Sequence, residues 1–125
     1  SRASLVDYAG ASGDHNPIHW SERFATEVGL DGVIAHGMLS MAVVIAPVVE
    51  WVGDPGAIVD YRTRFSAPVF VPDAESGTPA TPTATLSMTA VVGAVDSAVG
   101  TARIDVTVKS GDQDVLSRTQ IRVSQ

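Results

Sequence analysis

Residues 38–52, MLSMAVVIAPVVEWV, are the most hydrophobic segment of the chain and carry one charge, Glu50. A helix that is apolar almost all round belongs in the middle of a domain, covered on several sides. The run is too short for a membrane span and is interrupted by Pro47 and Glu50. Pro47 is expected to kink the helix or move its boundary. Gly53-Asp54-Pro55-Gly56 should end it. With 125 residues, 45% of them hydrophobic, the chain can bury a real core and reads as one domain, 1–125.

The segments on either side of this helix differ in kind. Before it the pattern is helical. Ser1 or Ser4 can cap a short helix through Leu5, Val6, Tyr8 and Ala9, which stops at Gly10 or Gly13. Residues 14–20 form a turn at Asn16-Pro17. Ser21 caps a second short helix whose apolar stripe is Phe24, Ala25 and Val28, with Gly29 as its stop. After residue 56 the period changes to two. Val59, Tyr61, Thr63 and Phe65 alternate with Ile58, Asp60, Arg62 and Arg64. Strands are further expected over 83–95, 98–109 and 113–124, the last two joined by a hairpin at Ser110-Gly111-Asp112. Pro72 to Pro82 reads as a flexible surface loop. One buried helix followed by consecutive antiparallel strands predicts an α+β domain with a curved sheet wrapped around the helix.

Net charge is −6 and the eight Lys plus Arg are spread singly, which disfavours a nucleic-acid or anionic-membrane surface, so neither is an expected partner. No cysteine is present, so neither a disulfide framework nor a thiolate metal site is available, and a cytoplasmic location is expected. The first residues have no basic segment followed by an apolar run, so no signal peptide is read there.

The chemistry concentrates in Ser12-Gly13-Asp14-His15-Asn16-Pro17-Ile18-His19 and in Ala35-His36-Gly37-Met38. An acid and an imidazole five positions apart flank a tight turn, and a long helix then starts at a glycine whose backbone N–H is free. Acid, base and amide donors together suit proton transfer beside a carbonyl. Alone, Asp14 would read as a turn residue and His19 as a structural histidine. Their joint occurrence with Asn16-Pro17 and His36-Gly37 favours a site. His36 is expected to donate to a backbone carbonyl and hold the loop. His15 is expected to face solvent, and Tyr8 and Trp20 to be packing residues. Asp14, His19 and His36 have no recognised zinc spacing, and Pro17, Ile18 and Ala25 break a calcium-loop pattern, so no metal is expected. Arg62 and Arg64 read as a solvated face, or as contacts for a substrate phosphate.

The run Tyr8 to His19, then Ile34-Ala35-His36-Gly37-Met38, resembles the hydratase signature of the MaoC-like dehydratases, the (R)-specific enoyl-thioester hydratases. Residues 51–57 and 64–69 resemble a narrower group that contains the B-type subunit of the actinobacterial (3R)-hydroxyacyl-carrier-protein dehydratase. The resemblance covers about residues 4–72, and the last strands by pattern only. It implies the hot-dog fold and the interconversion of trans-2-enoyl and (3R)-3-hydroxyacyl thioesters in fatty acid metabolism. It implies Asp14 and His19 as the catalytic pair, with the Gly37 N–H polarising the thioester carbonyl. Asn16 would shape the turn and hydrogen-bond near the carboxylate, and His36 would support the site. Met38, Leu39 and Met41 are candidates for an acyl pocket. No bound cofactor is implied, because coenzyme A or phosphopantetheine arrives with the acyl thioester substrate. A homodimer, or a heterodimer with a related hot-dog subunit, is implied. Two departures stand out: family members carry an additional strand before the segment that begins here at Ser1, and Ile45 stands where some hydratases have serine. The first suggests a domain taken from a longer chain, or an omitted start.

The implied reaction removes a proton alpha to the thioester and expels hydroxide. His19, with an ordinary pKa of about 6.5, suits the alpha proton, and Asp14 the oxygen; the residues alone are compatible with either division. Alternatives are a hot-dog acyl thioesterase and a dehydratase module or subunit of a larger fatty acid or polyketide synthase.

Overall fold

The computed structural model describes residues 1–124. Its elements are α1 (Arg2–Ser12), a 3-10 turn (Pro17–His19), α2 (Glu22–Glu27), α3 (Gly37–Val52), a second 3-10 turn (Pro55–Ala57), and strands β1 (Ile58–Phe65), β2 (Leu86–Asp96), β3 (Thr101–Ser110) and β4 (Gln113–Ser124). The chain forms two compact units, one of residues 1–40 and 68–85, the other of 41–67 and 86–125. No helix among the described residues is long and apolar enough to cross a membrane.

In the first unit local chemistry sets each boundary. Ser1 caps α1, its hydroxyl accepting from the Ser4 N–H at 3.2 Å. Gly13, at φ 79°, closes α1 in the left-handed conformation that suits glycine. Ser21 caps α2 through the Phe24 N–H. Ala25 is the buried residue of α2; Val28 is exposed instead of completing the expected stripe, because α2 ends at Glu27 and Val28 is its C-cap. Residues 33–35 and 69–71 run antiparallel, with Ala35 N–H to the Val69 carbonyl at 2.8 Å and Val71 N–H to the Val33 carbonyl at 3.0 Å. Leu5, Val33 and Val71 form a buried cluster, with Ala35, Leu39 and Ala84 packed on it. Arg2 ties the unit together, donating to the Val71 carbonyl and pairing with Glu22. The 72–82 segment has no regular structure and is held by Ala3 N–H to the Pro79 carbonyl and by the Thr83 hydroxyl to the Pro72 carbonyl.

The second unit is an antiparallel sheet in the order β1-β4-β3-β2, packed on the later turns of α3. Ser110 pairs with Gln113, so Gly111 and Asp112 make the expected two-residue hairpin turn. Ile104, Val106, Val108, Val115, Leu116, Ile121 and Val123 form the buried face. The β1 alternation is only partly realised: Tyr61 and Thr63 turn inward, but Val59 and Phe65 are exposed. Register shifts at Ile58/Asp60 and Arg62/Arg64 break the two-residue period. Arg118, at φ 51°, lies in the β4 stretch opposite the second shift. Arg62 pairs with Asp60 at 2.7 Å as a surface ion pair.

Helix α3 departs from expectation in two respects. It runs through Pro47 to Val52, so the proline does not move its boundary. It is also not covered on several sides: Val44 and Val48 are its buried residues in this unit, while Val43 is exposed and Trp51 is 71% exposed. The sheet lies against one side, and an open apolar groove of about 220 Å³ remains between Pro47, Val48 and Trp51 of the helix and Met88, Ala90, Val92 and Ile104 of the sheet.

Tyr61 donates its phenol to the Met41 carbonyl of α3 at 2.8 Å, and burial pushes its pKa from 10.0 up to about 12. A raised folded-state pKa contributes stability that is whole below the unfolded value and is lost as pH rises through the folded one. Denaturant titrations should therefore show a decline in stability between about pH 10 and pH 12 that Tyr61→Phe makes shallower. Equal slopes in the two proteins would contradict this.

Candidate active site

The bend between α1 and α2 is built by its own side chains. Ser12 Oγ accepts from the Asp14 N–H at 3.1 Å. Asp14 Oδ1 accepts from the Asn16 N–H at 3.1 Å, and Asn16 Oδ1 accepts from the Ile18 N–H at 3.2 Å, capping the 3-10 turn that Pro17 opens. His15 is exposed. Trp20 is 56% exposed and so is not the packing residue expected; its indole N–H instead braces the bend by donating to the His15 carbonyl at 3.0 Å.

The bend is fastened to the strand segment before α3. Ile34 N–H donates to the Ile18 carbonyl at 3.1 Å, and His19 Nδ1 donates to the Ile34 carbonyl at 2.7 Å. A carbonyl only accepts, so Nδ1 carries the proton and His19 Nε2 presents a lone pair. That Nε2 lies 3.9 Å from Asp14 Oδ2, the carboxylate oxygen not used by the turn. The two side chains differ in setting: His19 is 8% exposed and Asp14 52%. Because 3.9 Å exceeds a direct hydrogen bond, the gap suits a water whose two O–H groups reach both acceptors at about 2.8 Å.

His36 lies behind this pair. Its ring stacks on His19 with centroids 3.8 Å apart and planes 22° from parallel, and Tyr8 meets it edge-on at 4.7 Å. His36 Nε2 donates to the Asp14 carbonyl at 3.1 Å, and Nδ1 is buried without a partner among the described residues. An orphaned buried acceptor costs about 1–3 kcal/mol. The His36 carbonyl accepts from the Ser40 N–H, which starts α3 and leaves the N–H groups of Gly37, Met38 and Leu39 without acceptors inside the helix. Asp14, His19 and His36 each offer a ligating atom, all within 4.8 Å.

Of the residues singled out in the sequence, Asp14, Asn16, His19 and His36 are thus brought into one cluster, with Gly37 next to His36 in the chain. The acyl-pocket candidates lie on the first turns of α3. Met38 is 58% exposed, Leu39 packs on the Leu5–Val33–Val71 cluster, and the Met41 carbonyl is held by Tyr61. A helix turns successive side chains through 100°, so Met38 and Met41, three apart, share a face and Leu39 is turned away from it. Sequence reasoning missed the Ile34 carbonyl, which orients His19; a main-chain acceptor leaves no mark in side-chain identity.

Residues 1–111 match the MaoC-like domain family. The chain belongs to that family. The MaoC-like domain has the α+β hot-dog fold, and a solved MaoC-like dehydratase superposes on it with a TM-score of 0.88 at 37% identity, covering 99% of this chain and 36% of that one. The (R)-specific enoyl-CoA hydratase of Rhodospirillum rubrum is 37% identical over 93 residues, 74% of this chain and 60% of that protein. The 3-hydroxyacyl-thioester dehydratase X of Mycobacterium tuberculosis is 41% identical over 70 residues, 56% of this chain and 24% of that protein. This chain thus spans about a quarter of one of these two relatives and three fifths of the other.

Proposed function

We propose that this MaoC-like domain hydrates trans-2-enoyl thioesters to (3R)-3-hydroxyacyl thioesters and catalyses the reverse dehydration. The observation that carries the reading is the 3.9 Å gap between Asp14 Oδ2 and His19 Nε2, with the other histidine nitrogen committed to the Ile34 carbonyl. Two acceptors at that spacing hold one water. In hydration that water adds its oxygen to C3 and gives up a proton, while C2 gains one. Two groups able to exchange protons are needed, and the two side chains supply them. In our assignment His19 serves the C2 proton and Asp14 the oxygen: in dehydration the His19 Nε2 lone pair takes the C2 proton while Asp14, as its carboxylic acid, gives one to the departing hydroxyl, and hydration runs back from Nε2-protonated His19 and ionised Asp14.

Negative charge builds on the thioester oxygen as C2 becomes enolate-like. The Gly37 N–H, unpaired within α3 and at the positive end of the helix dipole, is the donor we assign to that oxygen. No resident cofactor or metal takes part in this scheme; coenzyme A or a phosphopantetheine arm belongs to the substrate. A second hot-dog subunit, identical or related, is the proposed partner. The open groove beside Trp51 and the edge position of β2, with Val91, Val92 and Val95 exposed, support that assembly.

Steady-state assays on crotonyl thioester test the pair. Asp14→Asn and His19→Ala should each lower kcat by about 10²–10⁴-fold while circular dichroism stays that of the wild type. Undiminished turnover in either would refute the roles. Release of free thiol from saturated acyl thioesters would point to a thioesterase instead. Gly37→Pro deletes the amide donor at a position where helices accept proline, and should cost about 10²–10³ in kcat; a variant that folds and keeps its rate would remove Gly37 from the scheme. Exhaustive dialysis against a chelator should leave the rate unchanged, and recovery only on adding a metal would overturn the metal-free reading.

A further inference from the structure

His36 belongs to the sequence motif, yet the proposed reaction gives it no proton to move. It is 2% exposed. Its Nε2 must carry the proton, because its partner at 3.1 Å is the Asp14 carbonyl. Its Nδ1 is then a buried lone pair with no donor among the described residues. A phenyl ring would satisfy the stack on His19 and the edge contact with Tyr8 without that orphan. What a histidine adds at this place is the hydrogen bond to Asp14.

Three features meet on this residue. Its Nε2–H holds the main chain of Asp14, its ring face lies on His19, and its own carbonyl opens the helix at Gly37. We infer that His36 is a positioning residue: through Nε2–H and its ring face it sets the Asp14 carboxylate and the His19 imidazole at their working separation. This rests on the hydration reading above. It also follows that the position sacrifices stability for geometry, since the orphaned Nδ1 is retained.

Two variants separate the parts. His36→Phe keeps a flat ring and drops the donor. His36→Gln keeps an N–H near the Nε2 position and drops the ring. His36→Phe should lower kcat by about 10²-fold with KM changed by less than about twofold, and its urea midpoint should equal or exceed that of the wild type. His36→Gln should recover at least about tenfold of that kcat. Amide exchange at Asn16 and Ile18, whose N–H groups are held by Asp14 Oδ1 and Asn16 Oδ1, should quicken in His36→Phe and return toward wild type in His36→Gln. Wild-type kcat in His36→Phe, a kcat loss matched by a lower urea midpoint, no recovery in His36→Gln, or unchanged exchange would each overturn the inference. Should His36→Phe not fold, His36→Gln decides alone: near wild-type exchange at Asn16 and Ile18 supports it, and fast exchange refutes it. A wild-type chain inactive on enoyl thioesters sinks the hydration reading, while the exchange experiment still judges His36.

Discussion

The hydrogen bond from His19 Nδ1 to the Ile34 carbonyl, 2.7 Å long, settles which nitrogen of the imidazole faces Asp14. Without it the ring could turn its other nitrogen across the 3.9 Å gap to Asp14 Oδ2. The bond depends on Ile34 lying alongside the bend. That in turn depends on the short antiparallel contact of residues 33–35 with 69–71 and on the Leu5–Val33–Val71 cluster beneath it. Apolar packing in the first unit is therefore what gives the polar cluster its geometry.

The cluster itself is economical. Asp14 uses one carboxylate oxygen to hold the Asn16 N–H and leaves the other toward His19. Asn16 caps the turn that delivers His19. His36 connects the bend to the start of α3. Most polar atoms here are committed to main-chain partners, which is how a half-exposed carboxylate keeps a defined orientation.

Much of the architecture was legible locally. Ser1, Gly13, Ser21, Asn16-Pro17 and Gly111-Asp112 each act within a few residues of themselves, and each sits at the boundary or turn its chemistry calls for. The exposed Val59, Phe65, Val28 and Trp20 were not legible, because apolar identity says that burial is favourable but not whether a partner surface reaches that residue. The same holds for α3: composition calls for cover on all sides, while the sheet supplies it on one. Within the site, Asp14 and His19 could be named from their spacing. Their gap, the tautomer and the stack of His36 on His19 could not.

The amino-acid sequence by itself determined the elements, the tight bend and the residue types that carry acid, base and amide donor, since these follow from backbone preferences and side-chain reach over a few positions. Only the tertiary structure decided that Ile34 orients His19, that His36 bonds Asp14 across 22 residues, and that Arg2 reaches Val71 across 69. Such contacts join segments brought together by burial of the apolar surface around them. Burial is non-directional, so the pattern of residues along the chain does not say which of them will meet.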